Sequence, residues 1–177
     1  MQPAYDTVVL SAGDALAGIR RFFVSNQVAG GAPKSIAQTN MEQPGSFPTA
    51  TSFRVQGLAI DADTRTANLD VLPVFLRKSS VSLQVGVKNY WQSPLRFACG
   101  RMQTAEVAYQ QYGWAAVQPV VFQGKHVIDI NPLQNFQIAW SLAAADLTAT
   151  EAAITIDADT DLWFVASLKG LLRRPVQ

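Results

Sequence analysis

One histidine, one cysteine and three glutamates are a thin supply of the residues from which most active sites are built. Cys99 alone excludes an internal disulfide and any multi-cysteine zinc site. A Ser-His-Asp or Cys-His arrangement would have to use His126. That residue heads the apolar run Val127-Ile128-Asp129-Ile130 and reads as a strand-end histidine. Cys99, between Ala98 and Gly100, reads as a small packed residue rather than as a nucleophile. Glu42, Glu106 and Glu151 are a poor stock for glycoside hydrolysis. The chain has neither a Gly-x-x-x-x-Gly-Lys phosphate loop nor a Gly-x-Gly-x-x-Gly fingerprint. Asp157-Ala158-Asp159-Thr160-Asp161 starts like a calcium loop, but Leu162 and Leu168 stand where such a loop needs Gly and Glu. It reads as a tight acidic turn between strands, as does Asp61-Ala62-Asp63. The expectation is no catalytic residue, no cofactor, no metal and no enzyme.

Charge is also scarce. Only 15% of residues are Asp, Glu, Lys or Arg, and the net charge is +1, whereas an ordinary soluble domain carries about 25% charged residues. Arg20-Arg21 and Arg173-Arg174 are the only Arg pairs, so no specific nucleic-acid binding is expected. No apolar run approaches the roughly 20 residues of a membrane span. The start, Met1-Gln2-Pro3-Ala4-Tyr5-Asp6, lacks the basic and apolar regions of a signal peptide. The expected place of synthesis is therefore the cytoplasm. A surface of amides, hydroxyls and alanines loses little when another protein covers it, which favours a subunit of an assembly.

What the chain does have is strand signal. Nearly half its residues are hydrophobic, enough for one domain, 1–177, with a substantial core. Val81, Leu83, Val85 and Val87 alternate with polar or small residues, and so do Phe136, Ile138, Trp140 and Leu142. Period two means one buried face and one polar face, the habit of antiparallel sheets. Residues 19–25, 53–60, 126–130, 153–157 and 162–168 are also strand-like. The apolar phase slips around Gly57, which predicts a β-bulge. Short helical insertions are expected at 70–78, 104–112 and 146–152. About eight short strands predict an all-β fold, an antiparallel sandwich or barrel.

The longest connection, from about Ser25 to Ser52, contains Thr39-Asn40-Met41-Glu42-Gln43-Pro44-Gly45-Ser46-Phe47-Pro48 and leads into Phe53-Arg54-Val55. This segment resembles one near the N-terminus of major capsid proteins of small tailless icosahedral phages. The run Leu168-Lys169-Gly170-Leu171-Leu172-Arg173-Arg174-Pro175-Val176-Gln177 is similar to the tail that closes the last strand of the same proteins. The resemblance implies a single jelly roll of about eight strands. It also implies a virion structural protein, the major capsid subunit, whose capsomers build an icosahedral shell. The chain is too short for the fused double jelly roll of related capsids. The implied partners are other capsid subunits, of the same chain or a second capsid protein, and an internal viral membrane.

A connection this long in a compact domain is usually functional or ordered by contacts. Gln38, Asn40 and Gln43 are expected to hydrogen-bond a neighbouring subunit. Met41 and Phe47 are expected to make apolar contacts there, and Arg173 and Arg174 to meet its carboxylates or carbonyls. The alternative is that loop and tail pack on their own barrel. The aromatics Tyr90, Trp91, Tyr109, Tyr112 and Trp114 support a second functional reading, a carbohydrate-binding β-sandwich such as a phage spike or secreted module. Core packing and a protein interface are the competing roles for those rings.

Overall fold

The computed structural model describes residues 3–25, 27, 32–63, 71–98, 120–156 and 161–174. Among the described residues, nine strands form two antiparallel sheets facing each other across one core. The first sheet contains β1 (Ala4–Leu10), β9 (Leu162–Arg173), β3 (Ser52–Asp63) and, both on the far edge of β3, β6 (Val120–Val121) and β7 (Ile128–Ile130). The second runs β2 (Gly18–Phe22), β8 (Phe136–Leu142), β4 (Ser80–Val85) and β5 (Lys88–Pro94). An all-β antiparallel sandwich is thus the observed architecture.

Alternation builds the core. Phe136, Ile138, Trp140 and Leu142 point inward from β8, opposite Leu162, Phe164, Ala166 and Leu168 of β9. The expected bulge is present: the register of β3 against β9 shifts between Val55 and Gly57. At that shift the strands crowd, and a Cβ on Gly170 would lie 2.0 Å from the Arg54 carbonyl oxygen. No side chain fits there, so glycine in the last strand is a steric requirement.

Two helical insertions fall where expected. α1 (Val71–Lys78) carries Pro73 in its first turn, where a missing N–H costs nothing. Its Phe75 is fully buried, edge-on to Trp140 at 4.7 Å and to Phe164 at 5.6 Å. The helix thereby closes the end of the sandwich where β3 finishes. The Arg20 guanidinium lies over the Trp140 ring at 5.2 Å at this same end. Burial pushes the Arg20 pKa below its ordinary value, with Asp14 opposing.

α2 (Ala149–Ala152) is capped reciprocally by Thr148 and Glu151. Glu151 also receives the Lys78 ammonium at 2.6 Å, which joins the two helices. The hydrogen bond from Lys78, followed by those from the Thr148 N–H and hydroxyl, lowers the Glu151 pKa from 4.5 to about 2. A depressed carboxyl stabilises the fold above its unfolded pKa, and that contribution fades as pH falls through its folded value. The window therefore runs from about pH 4.5 down to about pH 2. Carbon-detected NMR titration should find Glu151 ionised until near the lower limit, and Lys78→Met should move its midpoint upward.

Several expectations need correction. Residues 153–156 are not a strand; they follow α2, whose capping box turns the chain first. His126 belongs to a 3₁₀ turn, and the strand starts at Ile128. Asp61 and Asp63 are not a turn but the paired end of β3, opposite Val165 and Trp163. Val87 is not part of β4; it sits fully exposed in the β4–β5 turn. β1 was missing from the expected strands altogether. The possible helix 104–112 lies outside the described residues.

Candidate functional site

The β2–β3 connection and the end of β9 meet at the end of the sandwich opposite α1. A turn at Ser35–Gln38 lowers the chain onto the free edge of β1. There the Tyr5 N–H donates to Asn40 Oδ1 at 2.9 Å, and the Asn40 amide donates to the Pro3 carbonyl at 2.6 Å. Thr7 Oγ1 donates to the Gln38 carbonyl at 2.8 Å, and the Tyr5 hydroxyl donates to the Ile36 carbonyl. Asn40 thus acts as a short substitute strand against an otherwise open edge.

Below it the chain enters the core. Met41 and Phe47 are buried, at 8% and 5% exposure. The Phe47 ring stacks on Phe53 at 5.1 Å and on Phe136 at 5.2 Å, nearly parallel to both. Its position follows from Gly45, which has φ +63° and lies so close to the Phe23 and Phe136 carbonyls that a Cβ would meet them at 2.8 and 3.0 Å. The Phe136 N–H donates to the Gly45 carbonyl at 2.7 Å, and Leu133 N–H to the Phe47 carbonyl at 3.0 Å. In Gly45-Ser46-Phe47-Pro48, glycine lets the backbone approach β8 and phenylalanine plugs the sandwich.

A second anchor holds the same connection from inside. Asp6 points into the sandwich from β1 and is 1% exposed. Its carboxylate accepts the Phe23 N–H at 2.6 Å and the Lys34 ammonium at 2.7 Å. Phe23 has φ +68°, so the carboxylate holds the chain where it leaves β2 in a costly conformation.

Around the plug lies an open cleft of about 690 Å³, lined among others by Asn40, Met41, Phe47, Thr49, Leu172 and Arg174. The fold therefore brings together Asn40, Met41, Phe47 and Arg174, residues from both ends of the chain. Gln38 lies beside β1, with its Oε1 accepting the Ser35 N–H at 2.9 Å. Gln43 is exposed on the connection and accepts from Ser46 at 3.5 Å. Arg173 ends β9 on the outer face. The expectation that Met41 and Phe47 face a neighbour is corrected: their apolar area is already spent on their own core.

Nearby on the outer face, Arg54 clamps Asp129 through Nε and Nη2, at 2.7 and 3.1 Å. This hydrogen bonding lowers the Asp129 pKa, and Arg173 adds a smaller attraction. Asp61 moves the other way, because burial raises its pKa against the pull of Lys169.

His126 is exposed on its turn. Cys99, the Asp157–Thr160 run and Tyr109, Tyr112 and Trp114 lie outside the described residues. Trp91 packs edge-on to Phe122 at 6.2 Å, while Tyr90 is 42% exposed beneath the Lys88 ammonium. Among the described residues no group of three His, Cys, Asp or Glu side chains could hold a metal ion. Sequence reasoning missed Asp6, Lys34 and the steric roles of Gly45 and Gly170. A lone acid among Val and Leu was the available signal for Asp6. No family model, curated protein or solved structure matches this chain.

Proposed function

We propose that this chain is a shell-forming structural subunit, a capsid protein of a tailless icosahedral phage folded as a single jelly roll. The observation that carries the reading is the nesting of the strands. β6 and β7 share one edge of β3, so together they count as one interrupted strand, leaving eight among the described residues. First then pairs with eighth (β1 with β9), second with seventh (β2 with β8), third with sixth, and fourth with fifth (β4 with β5). That is one long hairpin. Pairing of β9 with β3 and of β8 with β4 rolls it up. Two sheets made in this way are the plan of jelly rolls, an architecture recurrent in viral shells.

The capsid-like segments support the same reading in physical terms. Gly45, Phe47 and Gly170 are the residues that let connection and tail close one end of the roll. The partners of such a subunit are further copies, with a second capsid protein or an internal viral membrane where the shell includes one. Its final location is the virion. Light scattering over a concentration series and negative-stain microscopy test the proposal. Discrete capsomer-sized oligomers or shells are expected, alone or with a second shell protein. A chain that stays monomeric and enters no sedimenting particle under either condition overturns it.

A further inference from the structure

The outer face of the first sheet carries its charges in a definite order. Along β9 the inward residues are buried and every second residue between them faces out. From Asp161, exposed just ahead of the strand, this outward series runs through Trp163 and Val165 to Ser167, then through Lys169 and Leu171 to Arg173. Asp61 of β3 lies beside Val165. One end of the face is therefore acidic and the other basic. Among the described residues none of Asp61, Asp161, Lys169 and Arg173 belongs to an ion pair, whereas Arg54, beside Leu171, is already held by Asp129. Between the charges the face is apolar: Trp163 and Val165 are only partly buried, and Leu171 is 41% exposed.

This order is complementary to its own reverse. Ser167 stands at the middle, flanked in its row by Tyr5 of β1 and Ala59 of β3. A half-turn about an axis that crosses the strands at Ser167 lays a second copy on the first with its strands reversed. Asp161 then meets the second copy's Arg173, Trp163 meets its Leu171, and Val165 with Asp61 meets its Lys169. Each of these contacts occurs twice, because the axis is twofold. The parallel alternative sets Arg173 on Arg173 and Asp161 on Asp161, so like-charge repulsion selects the reversed arrangement. Twisted sheets packed face to face cross at about 30°. The pairs near Ser167 stay opposed under that tilt, and the long Arg173 side chain spans the offset at the ends.

We propose that the outer face of the first sheet, centred on β9, is a contact surface for the same face of a second copy of this chain, laid on it with the strands reversed. The inference rests on the shell reading in expecting copies to meet, and it names the surface, the register and the charges that choose it. β3 and β9 are each 12 residues long, and β1, β6 and β7 widen the face beside them. With strands about 4.8 Å apart and about 3.4 Å per residue, the face covers roughly 600 Å² per copy. The two copies together bury about 1,200 Å², within the range of specific interfaces. Trp163 and Leu171 supply the apolar anchors, and the charged pairs fix the direction.

Charge exchange tests the register. Lys169→Glu sets a carboxylate against the second copy's Asp61, and Asp61→Lys sets an ammonium against its Lys169. Sedimentation velocity from micromolar to millimolar protein should show self-association weakened roughly tenfold or more for either variant alone. In an equimolar mixture of the two, both pairs are again of opposite sign, so a one-to-one dimer of near wild-type affinity should return. Arg173→Glu and Asp161→Lys repeat the experiment at fully outward positions, which keeps the test open if Asp61→Lys does not fold. Ser82→Lys on the other sheet should leave association unchanged, and circular dichroism checks that the variants fold. If the single variants associate like the wild type, or the mixtures show no recovery, the self-contact is overturned while the shell reading stands. If the wild type is monomeric throughout but enters particles with a second shell protein, the self-contact is again overturned and the shell reading again stands. A wild type that is monomeric and absent from particles defeats both.

Discussion

Phe47→Ala should destabilise the domain by about 3–5 kcal/mol, the usual range for removing a buried aromatic side chain. The ring is stacked between Phe53 and Phe136, and its loss leaves a hole at the mouth of the sandwich. Collapse is opposed from both sides. Gly45 is hydrogen-bonded to Phe136, and the Phe47 carbonyl is hydrogen-bonded to Leu133, so the backbone cannot easily sink into the space. With a urea m-value of about 2 kcal/mol/M, the midpoint should fall by roughly 1.5–2.5 M. Gln43→Ala, on the exposed part of the same connection, should change stability by less than about 0.5 kcal/mol. Equal midpoints for Phe47→Ala and wild type would show that the ring is not part of the core.

Breaking the Asp6–Lys34 pair should cost as much. Lys34→Met leaves a carboxylate on an inward-facing strand position, where among the described residues the Phe23 N–H is its remaining hydrogen-bond donor. Removing one member of a buried ion pair typically costs about 3–5 kcal/mol. Asp6→Ala strands the ammonium and also orphans the Phe23 N–H. Here Lys34 has partial relief, since its long side chain sits on a connection and can turn toward water. The double variant Asp6→Asn with Lys34→Met keeps an acceptor for Phe23 and removes both charges. It should recover most of the loss, because a neutral pair of similar size escapes the desolvation penalty. Chemical denaturation of the wild type, Asp6→Asn, Lys34→Met and the double variant gives the coupling energy directly. A cycle that is additive within about 0.5 kcal/mol would mean that the two side chains do not act together.

These two sites also mark where the sequence was readable and where it was not. Strands with strict alternation, such as Ser80–Val85 and Phe136–Leu142, show their inward faces in the letters themselves. The bulge near Gly57 was legible because one extra residue shifts the apolar phase. β1 was not legible, because Asp6 occupies an inward position and breaks the pattern. Its partner, Lys34, lies 28 residues away, and nothing local announces the pair. Met41 and Phe47 misled for the converse reason. They sit among Gln, Glu, Pro and Ser, so their surroundings in sequence are polar while their surroundings in space are aromatic. Asn40 and Arg174 lie far apart in the sequence, and only the fold shows that they border one cleft.

The position of β9 has a consequence for how the molecule comes to exist. It is the last described strand in the chain, yet it lies between β1 and β3 inside its sheet. Until it arrives, β1 and β3 have no hydrogen-bonding partner in each other, and two apolar strands wait with open edges. Such long-range closure makes for slow folding and a period of vulnerability to wrong pairing. A ribosome that has made the first 160 residues holds a sheet without its middle. Stalling or truncation before Leu162 should therefore yield a species prone to aggregate, rather than a smaller version of the fold.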